Sequence, residues 1–147
     1  MQRRIRCQGA IVREDHILLI KHRHHDDGRD YWLIPGGGLE DGETEEQCVQ
    51  REMREETNLE VSVERLVLEE TSYLDDRIYA AYKTFLCRSL GGEARPGYEP
   101  EADAASVYSI SEVGWFDLRD EAAWDDKIKS DPFTYPLLKK LQAALGY

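Results

Sequence analysis

Cysteine is scarce in this sequence, and long apolar segments are missing altogether. The three cysteines, Cys7, Cys48 and Cys87, are widely spaced and odd in number, which argues against a disulfide framework and against a cysteine-based zinc site. No apolar run approaches the roughly 20 residues that a membrane-spanning helix needs, and residues 1–4 are not followed by the apolar stretch of a signal peptide. We therefore expect a cytoplasmic chain with reduced thiols and no membrane partner.

Basic residues are also in deficit. Nineteen Lys and Arg residues stand against 30 Asp and Glu, so the formal net charge is −11 and the pI is near 4.8. Nucleic-acid backbones repel such a chain, and we expect no nucleic-acid partner. Residues 1–38 nevertheless hold seven of the basic residues, five of the acidic ones and all four histidines. If the substrate is an anion, we expect its side-chain contacts there, although differently charged solvated faces are the simpler explanation.

Length and periodicity predict a single α/β or α+β domain over residues 1–147. Hydrophobic residues make up 41% of the chain and charged residues 33%, which is an ordinary globular balance. We expect a turn at Asp75 and Asp76, and the loop at 91–100 is long enough to suggest a functional lid. Alternation predicts strands at 4–12, 17–23, 31–34, 59–70, 78–87 and 107–116, and helical spacing predicts helices at 44–57 and 132–145.

The helix at 44–57 carries an unusual arrangement of carboxylates. Thr44 and Gln47 form a capping box at its start, and Asn58 suits the left-handed position after its end. At about 100° per residue, the three glutamates at positions 52, 55 and 56 share a sector with the apolar Cys48 and Val49. Because like charges at this spacing repel, we expect a hard divalent cation, Mg²⁺ or Mn²⁺, to bind them. The alternative is an acidic helix that is simply solvated.

A glycine-rich loop precedes this helix. Gly37-x₄-Gly42 has the spacing of a phosphate-binding loop, but Glu43 stands where that motif requires lysine. An anion cannot bind phosphate directly, whereas a metal ion can bridge carboxylates to phosphate oxygens. Glycines at 36–38 also allow the backbone to approach a bound ligand closely, and one of their carbonyl oxygens is available as a further metal ligand.

Loop and helix together form one recognisable motif over residues 37–59. They read Gly37-x₅-Glu43-x₇-Arg51-Glu52-Met53-x-Glu55-Glu56-x-Asn58-Leu59. This resembles the Nudix box, G-x₅-E-x₇-R-E-U-x-E-E-x-G-U, where U is aliphatic. Eight of the nine defined positions match, and Asn58 replaces the usual glycine. The context agrees, since a strand leading into Pro35 and Gly36 precedes the motif and a strand ending in Trp115-Phe116 follows downstream.

The resemblance implies an α/β/α sandwich with a mixed β-sheet and a metal-dependent hydrolase of nucleoside diphosphates linked to another moiety. Carried over by position, Glu52, Glu55, Glu56 and the Gly36 carbonyl are the implied ligands of Mg²⁺ or Mn²⁺. Glu43 and Arg51 would pair to hold the loop against the helix. The implied catalytic set is therefore Glu43, Arg51, Glu52 and Glu56. The general base stays open between Glu52 and two loop acids, Glu99 and Glu101.

Substrate contacts are less specific. We place Arg23, Trp32, Gly37 and Glu99 as candidate substrate-binding residues. Trp32 could equally pack in the core, and Arg23 could be a solvated hairpin residue. The histidines beside Arg23 lack the spacing of a zinc site. The expected partner is a small nucleotide diphosphate derivative whose identity the chain does not reveal.

Three functional classes are compatible with these residues. The first is the hydrolase. The second is a Nudix-like domain that binds nucleotide derivatives without cleaving them, although such domains usually lose box glutamates that are all present here. The third is an acidic interaction domain, which leaves the glycine loop unexplained. Homodimers are common among relatives of this fold, so the oligomeric state stays open.

Overall fold

The computed structural model describes residues 3–72, 78–98, 105 and 107–147. Seven strands lie within this part of the chain, in agreement with the predicted alternation except at the glycine loop. They are β1 (Arg4–Arg13), β2 (His16–His24), β3 (Asp30–Leu33), β4 (Gly36–Gly38), β5 (Glu60–Thr71), β6 (Tyr79–Gly91) and β7 (Tyr108–Asp117). The turn expected at Asp75 and Asp76 falls outside the described residues.

The strands form a mixed sheet. Its main path runs β3-β2-β1-β6-β5, while β4 pairs with β1 and β7 pairs with β2. The β1–β6 pair is parallel and the other pairs are antiparallel. Register shifts interrupt β5 where the spacing of apolar residues changes, as a β-bulge does.

Three helices accompany the sheet in the described part of the chain. They are α1 (Glu45–Thr57), α2 (Asp126–Lys129) and α3 (Thr134–Leu145), and a 3₁₀ turn spans Glu121–Ala123. None of them is long and apolar enough to cross a bilayer. The predicted closing helix begins two residues late, because the Asp131 carboxylate accepts hydrogen bonds from the backbone N–H groups of Phe133 and Thr134 and so sets its start.

Two separate cores show that the helices pack on opposite faces of the sheet. On one face, Cys48, Val49 and Met53 of α1 pack against strand residues that include Cys7 and Ile11. The second core contains Leu138 and Leu141 of α3 and Ile128 of α2, packed against Ala10, Ile17, Leu19, Trp32 and Ile34. Alternate residues of β1 therefore serve different cores. This is the expected α/β fold with a mixed sheet between helices.

Candidate active site

The ends of α1 are fixed by local contacts. The Thr44 hydroxyl accepts a hydrogen bond from the Gln47 backbone, and the Gln47 side chain accepts one from the Thr44 backbone, which confirms the capping box. Asn58 adopts the left-handed conformation, with φ of 66°, and its backbone N–H donates to the Arg54 carbonyl. Asparagine thus fills the position where the Nudix pattern has glycine, without disturbing the helix.

Two carboxylates of α1 are buried. Glu52 is 4% exposed and Glu56 is 1% exposed, on the same side of the helix as Cys48, Val49 and Met53. Burial raises the pKa of Glu52 to about 7, although nearby Arg51 opposes the shift. The helix therefore presents negative groups to the protein interior, as the rotation of the sequence predicts.

The glycine-rich segment lies directly over these carboxylates. Gly36–Gly38 forms β4, a short strand paired with residues 6–8 of β1 rather than the irregular loop that its composition suggests. The backbone N–H of Gly36 donates to Glu56 Oε1 at 2.7 Å. At Gly37, a β-carbon would lie 2.3 Å from Glu52 Oε1, so only glycine allows this approach without displacing the carboxylate.

Arg51 connects the carboxylates. It binds Glu43 with two hydrogen bonds, of 3.0 Å from Nε and 2.8 Å from Nη2. Its Nη1 donates to Glu52 at 2.8 Å and to Glu55 at 3.3 Å. The hydrogen bonds from Arg51 lower the pKa of Glu43 to about 2 and raise the pKa of Arg51 itself. We use "the acidic site" for Arg51, the three glutamates at 52, 55 and 56, and the Gly36–Gly38 backbone.

The donor set of the acidic site suits a divalent cation. No group of three or more His, Cys, Asp or Glu side chains is already arranged to hold a metal within the described ranges. Glu52 and Glu55 bind Arg51, and Glu56 binds the Gly36 amide. Glu52 and Glu55 nevertheless accept from the same nitrogen of Arg51, so their carboxylates are neighbours. These carboxylate oxygens carry more negative charge than Arg51 alone neutralises, and a hard ion such as Mg²⁺ or Mn²⁺ prefers oxygen ligands of this kind.

The segment after β6 is attached to the end of α1. Backbone N–H groups of Arg95, Gly97 and Tyr98 donate to the carbonyls of residues 57, 56 and 55 at 2.9, 2.9 and 3.0 Å. A β-carbon on Gly97 would lie 1.8 Å from the Glu55 carbonyl oxygen. Residues 95–98 of the predicted lid are thus attached to the carboxyl end of α1. The candidate acids Glu99 and Glu101 fall outside the described residues.

Comparison with known proteins identifies the family. A family model described as the NUDIX domain matches residues 3–134. The chain belongs to the Nudix family. The NAD-capped RNA hydrolase NudC of Photobacterium profundum is 38% identical over 95 residues, which cover 65% of this chain and 34% of that protein. The ADP-ribose pyrophosphatase of Methanocaldococcus jannaschii is 34% identical over 110 residues, which cover 74% of this chain and 63% of that protein.

Solved structures agree on the fold. The MutT NUDIX hydrolase from Burkholderia pseudomallei superposes with a TM-score of 0.65 at 28% identity, covering 96% of this chain and 99% of the other. A NUDIX hydrolase from Nitrosomonas europaea gives a TM-score of 0.72 at 19% identity, covering 97% and 90%. The chain spans about a third of the length of the NudC proteins that it matches.

Two candidate substrate contacts lie away from the Nudix box. Trp32 is 4% exposed, its ring lies between the edge of Phe116 and Lys21 Nζ, and its indole N–H donates to Asp125. Trp32 belongs to the second core, which is one of the two roles considered from the sequence, and its role in binding substrate stays a prediction. Arg23 is exposed near the turn at Gly28, and its role in binding substrate stays a prediction.

Sequence reasoning did not single out Arg6. This partly buried residue of β1 donates to the Ile34 carbonyl at 2.9 Å and to the Gln8 side chain at 3.0 Å. It also interacts electrostatically with Glu56 and Glu52, which help to raise the pKa of Arg6. The available signal was its place in the basic first quarter of the chain.

His22 of β2 lies close enough to Arg6 for the two to interact electrostatically. It is 4% exposed, stacks on Tyr108 at 4.1 Å between ring centres and meets Tyr31 edge-on at 5.6 Å. Burial, followed by the charges of Arg6 and His24, lowers the pKa of His22 to about 3. Its Nε2 has no hydrogen-bond partner among the described residues. His22 therefore stays neutral at physiological pH.

Proposed function

We propose that this protein hydrolyses the diphosphate linkage of nucleoside diphosphate derivatives, with Mg²⁺ or Mn²⁺ as the required ion. The observation that carries the proposal is the pair of buried carboxylates, Glu52 and Glu56, held under the Gly36–Gly38 backbone. Structural stability alone does not require two buried acids at one point, because burying carboxylates is costly and Arg51 is shared among Glu43, Glu52 and Glu55. A bound divalent cation would add positive charge to this cluster.

Each residue of the acidic site has a distinct role in this proposal. Glu52, Glu55 and Glu56 would hold the ion together with the Gly36 carbonyl. When bound, the ion neutralises negative charge on the phosphate oxygens and lowers the pKa of attacking water. Arg51, held by Glu43, fixes the position of the carboxylates relative to the glycine segment, because Arg51 contacts both.

The reaction forms one bond and breaks another. A water oxygen bonds to one phosphorus, and the bond between that phosphorus and the bridging oxygen breaks, so that the bridging oxygen leaves on the second phosphate. A carboxylate accepts the proton from water. Glu52, Glu99 and Glu101 remain the proposed candidates for this general base.

The comparisons support this class of activity. Relatives named as an NAD-capped RNA hydrolase and as an ADP-ribose pyrophosphatase are 38% and 34% identical to the matched segments. All four charged glutamates of the box are present, which disfavours the sensing alternative.

The three free, buried cysteines are in keeping with a reducing compartment, and we propose the cytoplasm as the location. A homodimer is proposed only as an alternative to the monomer.

An assay for reaction products distinguishes the candidate functions. The protein is incubated with Mg²⁺ or Mn²⁺ and with nucleoside triphosphates, ADP-ribose, dinucleotides and NAD-capped RNA, and the products are separated by chromatography. We expect phosphomonoester products that disappear when EDTA is added. Calorimetry should show uptake of Mg²⁺ or Mn²⁺ by the wild-type protein. Binding of nucleotide without any product would favour the sensing domain, and no uptake of either ion would overturn the proposal.

A further inference from the structure

A chain of polar side chains crosses the sheet outside the Nudix box. Thr84 of β6 is 1% exposed and Gln8 of β1 is 4% exposed, and the two are paired in the parallel β1–β6 ladder. The Gln8 amide nitrogen donates to the Thr84 hydroxyl at 2.9 Å, and the Gln8 amide oxygen accepts from Arg6 Nε at 3.0 Å. Apolar residues of the same shape could replace a buried hydrogen-bonded pair at little cost in stability, so these polar atoms require another explanation.

The far end of this chain binds a backbone carbonyl next to the glycine segment. Arg6 Nη2 donates to the Ile34 carbonyl at 2.9 Å. Because Nε and Nη2 lie on the same edge of the planar guanidinium, Gln8 and the Ile34 carbonyl together fix its rotation. The Thr84 hydroxyl in turn fixes the plane of the Gln8 amide. A hydroxyl group on β6 is thus linked to the Ile34 carbonyl through three consecutive hydrogen bonds.

Ile34 leads into the peptide that meets Glu56. A single proline, with restricted rotation about φ, separates Ile34 from Gly36, whose backbone N–H donates to Glu56 Oε1 at 2.7 Å. Gly36 also lies directly against Gln8, since a β-carbon on Gly36 would be 2.6 Å from the Gln8 α-carbon. A shift of Arg6 would therefore move the Gly36 peptide relative to Glu56.

We propose that Thr84 and Gln8 are positioning residues of the acidic site, which set where the Gly36 peptide meets the carboxylates of α1. The inference rests on the proposed function, in which this peptide supplies a carbonyl to the metal ion. Gln8 lines a groove of about 480 Å³ that also contains Arg6 and Phe133, whereas Thr84 does not line it. Thr84 is therefore the residue to vary, because it acts on the site through Gln8 and not through contact with substrate.

Replacing Thr84 by valine tests this link, because valine keeps the branched shape and removes only the hydroxyl. Mg²⁺ uptake is measured by calorimetry, and kcat and KM with a substrate that the product assay identifies. We expect Thr84→Val to bind Mg²⁺ about tenfold more weakly and to lose about tenfold in kcat, with KM little changed, since residues that orient metal ligands contribute this much. Thr84→Ser retains a hydroxyl and should restore both values. Unchanged Mg²⁺ affinity and kcat in Thr84→Val, or no recovery in Thr84→Ser, would overturn the inference.

A general loss of stability is controlled with Gln142→Leu. The Gln142 side chain on α3 donates to the Leu118 carbonyl at 2.8 Å, and Gln142 does not line the groove. Gln142→Leu should lower the melting temperature and leave Mg²⁺ affinity and kcat unchanged. If Thr84→Val and Gln142→Leu both lose Mg²⁺ affinity in step with their melting temperatures, Thr84 has a merely structural role and the inference is wrong.

Nuclear magnetic resonance tests the inference without metal or substrate. The short hydrogen bond from Gly36 N–H to a carboxylate should place its amide proton downfield in a ¹H–¹⁵N spectrum of the wild-type protein. Thr84→Val should move this resonance upfield, whereas Gly97 N–H, which donates to the Glu56 backbone carbonyl at 2.9 Å, should keep its position. A Gly36 resonance that stays in place, or equal movement of both resonances, would overturn the inference even if the protein is a hydrolase. Movement of Gly36 alone would support it even if no compound is hydrolysed and the proposed function fails.

Discussion

Replacing Glu43 by glutamine isolates the ion pair that joins the glycine segment to α1. Glutamine keeps a side-chain oxygen that can accept from Arg51 and from the backbone N–H of Glu40, which now donates to Glu43 at 3.0 Å. The substitution therefore removes the negative charge while retaining most of the hydrogen-bonding geometry. We expect the variant to fold and to be less stable than wild type at neutral pH.

The size of the effect follows from the pKa of Glu43. Arg51 lowers this pKa from 4.5 to about 2, and one pKa unit corresponds to about 1.4 kcal/mol, so the full shift is worth about 3 kcal/mol. Solvent at the edge of the pair screens the interaction, and we expect about 1–2 kcal/mol in the free energy of unfolding. Because the folded pKa is depressed, the contribution is complete above pH 4.5 and is lost as the pH falls towards 2.

Urea denaturation of both proteins at several pH values between 7 and 3 is the assay. Glu60→Gln is the matched control, because Glu60 binds Arg54 of the same helix at 2.7 Å with both side chains more than half exposed. The control should be nearly as stable as wild type at every pH. The reasoning would be refuted if Glu43→Gln matched the control at pH 7, or if its deficit stayed constant down to pH 3.

Three further predictions concern activity and stability. Glu56→Gln should lower turnover by at least about 100-fold, with a nearly unchanged melting temperature because the amide oxygen can still accept from Gly36; an active variant would count against the assignment. Gly37→Ala should displace the Glu52 carboxylate and weaken Mg²⁺ uptake measured by calorimetry, and unchanged affinity would show that this close approach is unimportant. Between pH 6.5 and 3 the unfolded chain binds a proton that folded His22 does not, so stability falls by up to about 1.4 kcal/mol per pH unit. His22→Phe should flatten the stability profile from urea melts over this range, and parallel profiles would contradict the burial argument.

The box helix could be predicted because its signals are local. Thr44 and Gln47 form reciprocal hydrogen bonds across the first turn, and Asn58 caps the other end. The shared sector of Glu52 and Glu56 follows from helical rotation alone. Each of these features depends on residues within about one or two turns. The helix and the grouping of its carboxylates were therefore predictable before any packing was known.

Short elements were harder to predict. The four-residue α2 and the 3₁₀ turn at Glu121–Ala123 are too brief to show a period. Gly36–Gly38 forms strand β4 only because residues 6–8 of β1 supply its partners. Burial of Trp32 likewise depends on Phe116 and Lys21, which lie on other strands.

The sequence alone determined a capped helix with clustered carboxylates, the glycine segment before it and the alternating strands, since these patterns repeat over a few residues. Only the tertiary structure decided that Arg6 interacts with those carboxylates and that Phe133, more than 120 positions along the chain, shares a groove with it. The physical reason is that strand pairing and helix packing bring such residues together through contacts between distant segments. No local spacing specifies those contacts.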